Sequence, residues 1–154
     1  MQIADIDFCS VKDLNELCAV ESACFPAPWP RHVIVGDIEN GDVVYIKAII
    51  MCRIAGYSVI ARSDEKESHL MNIAVLPEFR RAGIASQLLA AVGEIALYWG
   101  CGGMRLEVRV SNAAARNFYT KSGFKYDKTI NAYYSDGEAA WTMLASLPFP
   151  KFPA

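Results

Sequence analysis

Residues Asn72 to Ser86 read N-I-A-V-L-P-E-F-R-R-A-G-I-A-S, and the rest of the chain is legible outward from them. Ile73, Ala74 and Val75 make a short apolar strand. Pro77 then turns the chain, and Arg80-Arg81-Ala82-Gly83-Ile84-Ala85-Ser86 leads into an amphipathic helix. A strand, a tight basic loop and a helix start form a layout for holding an anion. The first helical turn leaves backbone N–H groups without intrahelical partners, and the helix dipole puts about half a positive charge there. Gly83 lets the backbone approach a phosphate closely, while Arg80 and Arg81 add formal charge. A solvated basic connection between strand and helix fits the same spacing. Neither G-x-x-x-x-G-K-[ST] nor G-x-G-x-x-G occurs, so neither a nucleoside triphosphate loop nor a dinucleotide loop is supported.

The chain has 154 residues, 53% hydrophobic and 21% charged, which describes one globular domain with a substantial core rather than a disordered segment. A formal net charge of −2 supplies no general field for nucleic acid, so none is expected as a partner. The five cysteines are odd in number and lack C-x-x-C spacing, which argues against a disulfide framework or zinc site and for a reducing compartment. No metal is expected. Cys24 and Cys101 are candidates for reactive thiols, although buried inert thiols are the commoner fate. Acidic residues, Asp5 and Asp7, fall within the first seven positions, with no apolar signal core, and no apolar run approaches the ~20 residues that span a bilayer. A cytoplasmic protein without membrane partners is the expectation.

In chain order, Ile3 to Phe8 reads as a strand, and Ser10 as the N-cap of a helix with Asp13 in the capping box. F-P-A-P-W-P (Phe25 to Pro30) breaks that helix. A second one is expected over Arg31 to Glu39, ended by Asn40-Gly41 with Gly41 at positive φ. Strands follow at Val43–Ile49, Ile54–Ala61 and Ser68–Val75; Met51-Cys52-Arg53 carries no residue typical of a hairpin turn. Ile84, Leu88, Leu89, Val92, Ile95, Ala96 and Trp99 stripe one long helix, which Gly100 stops. Met104 to Val110 alternates strictly, Ser111 or Asn112 caps a helix that Gly123 ends, and Phe124–Thr129 and Ala139–Leu147 form the last strands. The tail from Pro148 is proline-broken and expected to be loose. The order β-α-α-β-β-β-α-β-α-β-β implies a mixed α/β (α+β) fold, a mostly antiparallel sheet of about seven strands flanked by about four helices.

Three motifs in order, N-I-A-V-x-P-x-x-R-R-x-G-I-A, L-E-V-R-x-S-N-x-A-A and F-Y-x-x-S-G-F, resemble the GNAT N-acetyltransferase family. Within it they are closest to the group that acetylates the N-terminal alanine of a ribosomal protein (the RimI type). The resemblance runs from about Ile3 to Leu147 and implies one GNAT domain over residues 1–147, with residues 148–154 as a tail. It implies acetyl-CoA as cofactor, bound by the loop from Arg80 to Ser86. Ile73, Ala74 and Val75 would pair by backbone with the pantetheine arm, and Asn112 would contact it. The implied acceptor is a protein or peptide N-terminus, with a ribosomal protein as one candidate, used by a monomer or dimer.

Glu107 lies mid-strand on a polar face, where a solvated or arginine-paired acid is the ordinary outcome. The resemblance makes it the general base, acting directly or through water. An α-amine titrates near ~7.8 and lysine near ~10.4, so neutralising an N-terminus is easier by roughly 3.5 kcal/mol. Tyr119, about two helical turns after Asn112, is either a core aromatic or, by resemblance, the proton donor to the departing thiolate. Phe25, Trp29, Tyr133 and Tyr134 are candidates for the acceptor wall, each equally compatible with a core position. His69 alternates with Met71 but is left unassigned, since a lone histidine is more often structural. Two departures bear on the acceptor. Ala139 removes a carboxylate of the RimI group's E-D-A, and the arginine usual shortly before the paired tyrosines is missing, with Lys128 the nearest base. A small-molecule amine or antibiotic acetyltransferase, or a non-catalytic acyl-CoA-binding module, are the alternatives. The retained pair of Glu107 and Tyr119 speaks against the last.

Overall fold

The computed structural model describes residues 1–150. The strands are β1 (Asp5–Phe8), β2 (Val43–Ile50), β3 (Arg53–Arg62), β4 (Glu67–Val75), β5 (Gly103–Arg109), β6 (Lys125–Ile130) and β7 (Ala140–Ser146). The helices are α1 (Leu14–Cys24), α2 (Arg31–Glu39), α3 (Ile84–Tyr98) and α4 (Ala113–Lys121). The strands hydrogen-bond in the order β1-β2-β3-β4-β5-β7-β6. β4–β5 is parallel, and β1–β2, β2–β3, β5–β7 and β6–β7 are antiparallel. This is the mixed, mostly antiparallel sheet that the element order implied. The chain divides into two compact units, one of Met1–Ala61 with Leu70–Val92, the other of Arg62–His69 with Gly93 onward.

In the first unit the capping box forms: Ser10 Oγ accepts from the Lys12 amide, and Asp13 Oδ2 accepts from the Ser10 amide. A short 3-10 turn, Val11–Asp13, precedes α1, whose Leu14, Leu17, Val20 and Glu21 are buried at helical spacing. α2 ends at Asn40 in extended backbone, and Gly41 does not take positive φ. Asn40 instead uses its side chain, accepting from the Asp42 amide. The β2–β3 hairpin turns on Met51 (φ 49°) and Cys52 (φ 63°), two left-handed residues in a sequence without glycine or asparagine. That is why the turn is invisible in composition. From Ile54 to Ile60 every residue of β3 is buried, as in a strand covered on both faces.

In the second unit the alternation in β5 holds: Met104, Leu106 and Val108 are buried, and Glu107 lies opposite Thr142 of β7. Asn112, not Ser111, caps α4 through its Oδ1 and the Ala115 amide. Within the tail Phe149 is half-buried, while Pro148 and Pro150 are exposed. The Phe149 ring lies tilted against Phe124, 5.6 Å between centroids, and where a side chain on Gly93 would otherwise point. Residues 151–154 of that tail lie outside the described residues.

Gly56 of β3 is fixed by close approach to β4. A Cβ there would lie 2.5 Å from the Ala74 carbonyl oxygen and 3.2 Å from Val75 Cα, and both obstacles are backbone. Gly56→Ala is therefore expected to destabilise the protein by about 1–3 kcal/mol, read as a lower urea midpoint at unchanged m-value. An unchanged midpoint would show that β3 and β4 separate freely.

Candidate active site

In the first unit, β4 ends at Val75 and a 3-10 turn, Pro77–Phe79, carries the chain to the basic loop. Arg81 (φ 62°) and Gly83 (φ 82°) are both left-handed and bend the backbone just before Ile84 opens α3. The loop's carbonyls are engaged: Ala82 accepts from the Gln2 amide, and Gly83 accepts from the Gln87 amide and Nε2. The helix start is thus left presenting donors rather than acceptors, with Arg81 exposed beside it. These residues fit a pyrophosphate. Arg80 is committed differently, since its Nε donates to the Val75 carbonyl at 2.9 Å. Ala74 and Ile84 are buried; Ile73, Val75, Ala85 and Ser86 are half-buried. Phe25 and Trp29 are half-buried too and pack on the core formed by Leu14, Leu17 and Tyr57. The Cys24 thiol donates to the Val75 carbonyl, and burial pushes its pKa up, which makes it an unreactive thiol at neutral pH.

In the second unit, His69 on β4 and Arg105 on β5 are paired in parallel register, and Glu107 stands two residues along the same face. Its carboxylate is gripped at both oxygens. His69 Nε2 lies 2.6 Å from Oε2, and Arg105 Nη1 lies 2.6 Å from Oε1. Arg105 Nε in turn meets Glu67 Oε1 at 3.1 Å. Burial alone would raise the Glu107 pKa, but the hydrogen bond and charge of His69 and then Arg105 outweigh it and hold the carboxyl below its ordinary range. His69, unassigned from sequence, is therefore part of the cluster. Its signal was positional, a polar ring alternating with Met71 at the start of a strand parallel to β5.

Tyr119 is buried between Phe118 and Phe124, with ring centroids 5.4 and 5.6 Å away. Burial, and after it Tyr134, raise its phenol above the ordinary tyrosine value. Asn112 caps α4 and faces the end of β5 through its amide bond to the Arg109 carbonyl. Tyr133 and Tyr134 meet edge to face at 5.0 Å in the β6–β7 loop. Burial pushes Tyr134 up to about 12. That loop is clamped by a residue that the sequence did not single out. Arg109 Nη1 donates to Asp136 at 2.8 Å and Glu138 at 2.9 Å, and the guanidinium lies 4.0 Å from the centre of the Tyr134 ring. Glu138 also accepts from the Ser111 amide, and with Arg109 this brings its pKa down to about 2.

Among the described residues no cluster of His, Cys, Asp or Glu is placed to hold a metal, and no helix is long and apolar enough to cross a membrane. Because the Glu107 pKa is lowered on folding, its contribution to stability is present above the unfolded value near 4.5 and is lost as pH falls through the folded one. The gap in urea midpoint between wild type and Glu107→Gln is accordingly expected to be wide at pH 7 and to narrow below about pH 4. A gap independent of pH would mean the pairing with His69 and Arg105 does not hold in solution.

Comparison with known proteins converges on one family. The model of the Acetyltransferase (GNAT) family matches residues 14–124. An uncharacterized N-acetyltransferase of Methanocaldococcus jannaschii is 34% identical over 94% of this chain and 92% of its own. An N-alpha-acetyltransferase of Sulfurisphaera tokodaii is 30% identical over 88% of both chains. The crystal structure of the ribosomal-protein-S18-alanine N-acetyltransferase from Escherichia coli superposes with a TM-score of 0.85, covering 99% of each chain at 24% identity, a likeness of fold.

Proposed function

The chain belongs to the GNAT acetyltransferase family, and from that premise we propose that it acetylates the N-terminal α-amine of proteins in the cytoplasm, a ribosomal protein being one candidate acceptor. The enzyme is an acetyl-CoA-dependent N-acetyltransferase. Acetyl-CoA supplies an activated acetyl thioester. Residues 1–147 act as one catalytic domain in this reading. The donor's pyrophosphate is held by the amides from Ala82 to Ser86 and by Arg81, with Arg80 bracing the end of β4. Ile73, Ala74 and Val75 hold the pantetheine arm by backbone, and Asn112 contacts it. Phe25, Trp29, Tyr133 and Tyr134 line the acceptor's path.

The observation that carries the reading is the Glu107 carboxylate, gripped by His69 and Arg105 on the polar face of β5. We assign Glu107 as the group that receives the amine's proton, directly or through water, with His69 sharing its hydrogen bond. A carboxyl held below its ordinary range is a weak base. This favours the acceptor that is easiest to deprotonate, an α-amine rather than lysine. Tyr119 stays protonated at neutral pH, and its phenol would hydrogen-bond the leaving sulfur as negative charge develops there; with its pKa raised by burial, complete transfer of the proton to a thiolate is uphill. The N-alpha-acetyltransferase relative supports the same acceptor class.

Thiol release from acetyl-CoA, measured against peptides with free N-terminal Ala, Ser or Met, the same peptides blocked but carrying Lys, and small polyamines, tests this. Turnover is expected with free N-termini, and a fall of about 10²–10⁴ in kcat in both Glu107→Gln and Tyr119→Phe. Activity confined to polyamines would overturn the acceptor class. Tight acetyl-CoA binding without turnover on any acceptor would overturn the catalytic reading.

A further inference from the structure

Glu21 is 1% exposed, and among the described residues it is the one charged side chain so deeply buried. It has no cationic partner in the ion pairs found there. Its oxygens meet only donors: the Trp29 amide at 2.7 Å on Oε2, and the Tyr57 hydroxyl at 2.5 Å and Asn72 Nδ2 at 2.9 Å on Oε1. Asn72 Nδ2 also reaches the Tyr57 hydroxyl at 2.9 Å, closing a triangle of side chains. Burying a charge this way is a poor means of gaining stability, because an apolar residue of similar volume would fill the same space without the desolvation cost. What it achieves is geometry.

The three partners stand on three different pieces of the first unit. Trp29 lies in Phe25–Pro30, where Pro26, Pro28 and Pro30 have no N–H to offer, so its amide is one of few available anchors. Tyr57 is on β3, and Asn72 immediately precedes Ile73–Val75 on β4. The Glu21 carbonyl also accepts the last helical bond of α1, from the Phe25 amide at 3.0 Å. The same residue thus meets the proline segment at both Phe25 and Trp29. The Tyr57 phenol is pushed up by burial and by Glu21, which keeps it a donor.

We infer that Glu21 is a positioning residue for the acceptor: its carboxylate fixes the Phe25–Trp29 segment to Asn72 on β4, and so sets which N-terminal residue the enzyme accepts. The inference rests on the α-amine reading above. Glu21→Gln keeps the size and removes the charge, and it is assayed with acetyl-CoA and the peptides that wild type uses. The acceptor kcat/KM is expected to fall about tenfold to a hundredfold and the ranking of N-terminal residues to change, while the KM for acetyl-CoA moves by less than about twofold. Tyr57→Phe, which leaves the Trp29 bond in place, should move the same quantities in the same direction and less far; it serves if Glu21→Gln does not fold. Acceptor kinetics and ranking unchanged in either folded variant would overturn the inference. So would donor and acceptor parameters falling together in proportion to the folded fraction. Hydrogen exchange at the Trp29 amide is read in parallel, because it needs no acceptor. If wild type acetylates no peptide, the α-amine reading has failed, and the clamp stands on faster Trp29 exchange in Glu21→Gln or falls on unchanged exchange.

Discussion

Glu107 and Glu21 both give up most of their contact with water, and a carboxylate can do so only if donors meet its oxygens. The two are met in opposite ways. Glu107 is held by groups that carry or can carry positive charge, His69 and Arg105, which lower its pKa and keep it ionised. Glu21 is held by a backbone amide, a phenol and a side-chain amide, none of them charged. The first arrangement leaves a charge that a proton or an ammonium group can reach, because Glu107 keeps 12% of its side-chain surface. The second seals the charge away and uses its directionality. Chemistry belongs to the exposed arrangement and shape to the sealed one.

That distinction also explains what was legible in the sequence. Elements whose signal is local were readable to within a few residues. The capping box at Ser10, the apolar stripe of α3, the alternation in β5 and the cap at Asn112 are each written in consecutive or helically spaced residues. Features settled by tertiary contact were not. Met51 and Cys52 take left-handed backbone because β2 and β3 must pair, at a cost of about 1 kcal/mol or more per residue that no local motif announces. Gly41 was expected to take positive φ, but Asn40 closes the helix through its side chain and removes the need. Phe149 finds room for its ring beside Gly93, a contact between residues far apart in the chain that no local motif announces.

Of the candidate site, sequence placed Glu107, Tyr119, Asn112 and the loop around Gly83 on the right elements. It passed over the partners. A histidine, an arginine or a glutamate carries no periodicity of its own, so His69, Arg109 and Glu21 become visible only once register sets them beside something. His69 needs the parallel pairing of β4 with β5 to meet Glu107. Glu21 needs β3 and β4 side by side, so that Tyr57 and Asn72 can reach it together.

The β6–β7 loop shows how much one such partner can organise. The absent carboxylate at Ala139 and the missing upstream arginine bear on which acceptor is used. The loop itself is held from β5: Arg109 engages Asp136 and Glu138 at once and stacks on Tyr134, while Glu138 pins the Ser111 amide at the start of the turn into α4. An exposed ion pair contributes little by itself. Here, however, one guanidinium joins two carboxylates and an aromatic face, and each bond limits the freedom of the others. The charges of this loop are therefore spent on its own shape. The pair of tyrosines it carries, set edge to face, is a surface suited to the body of a residue rather than to its charge.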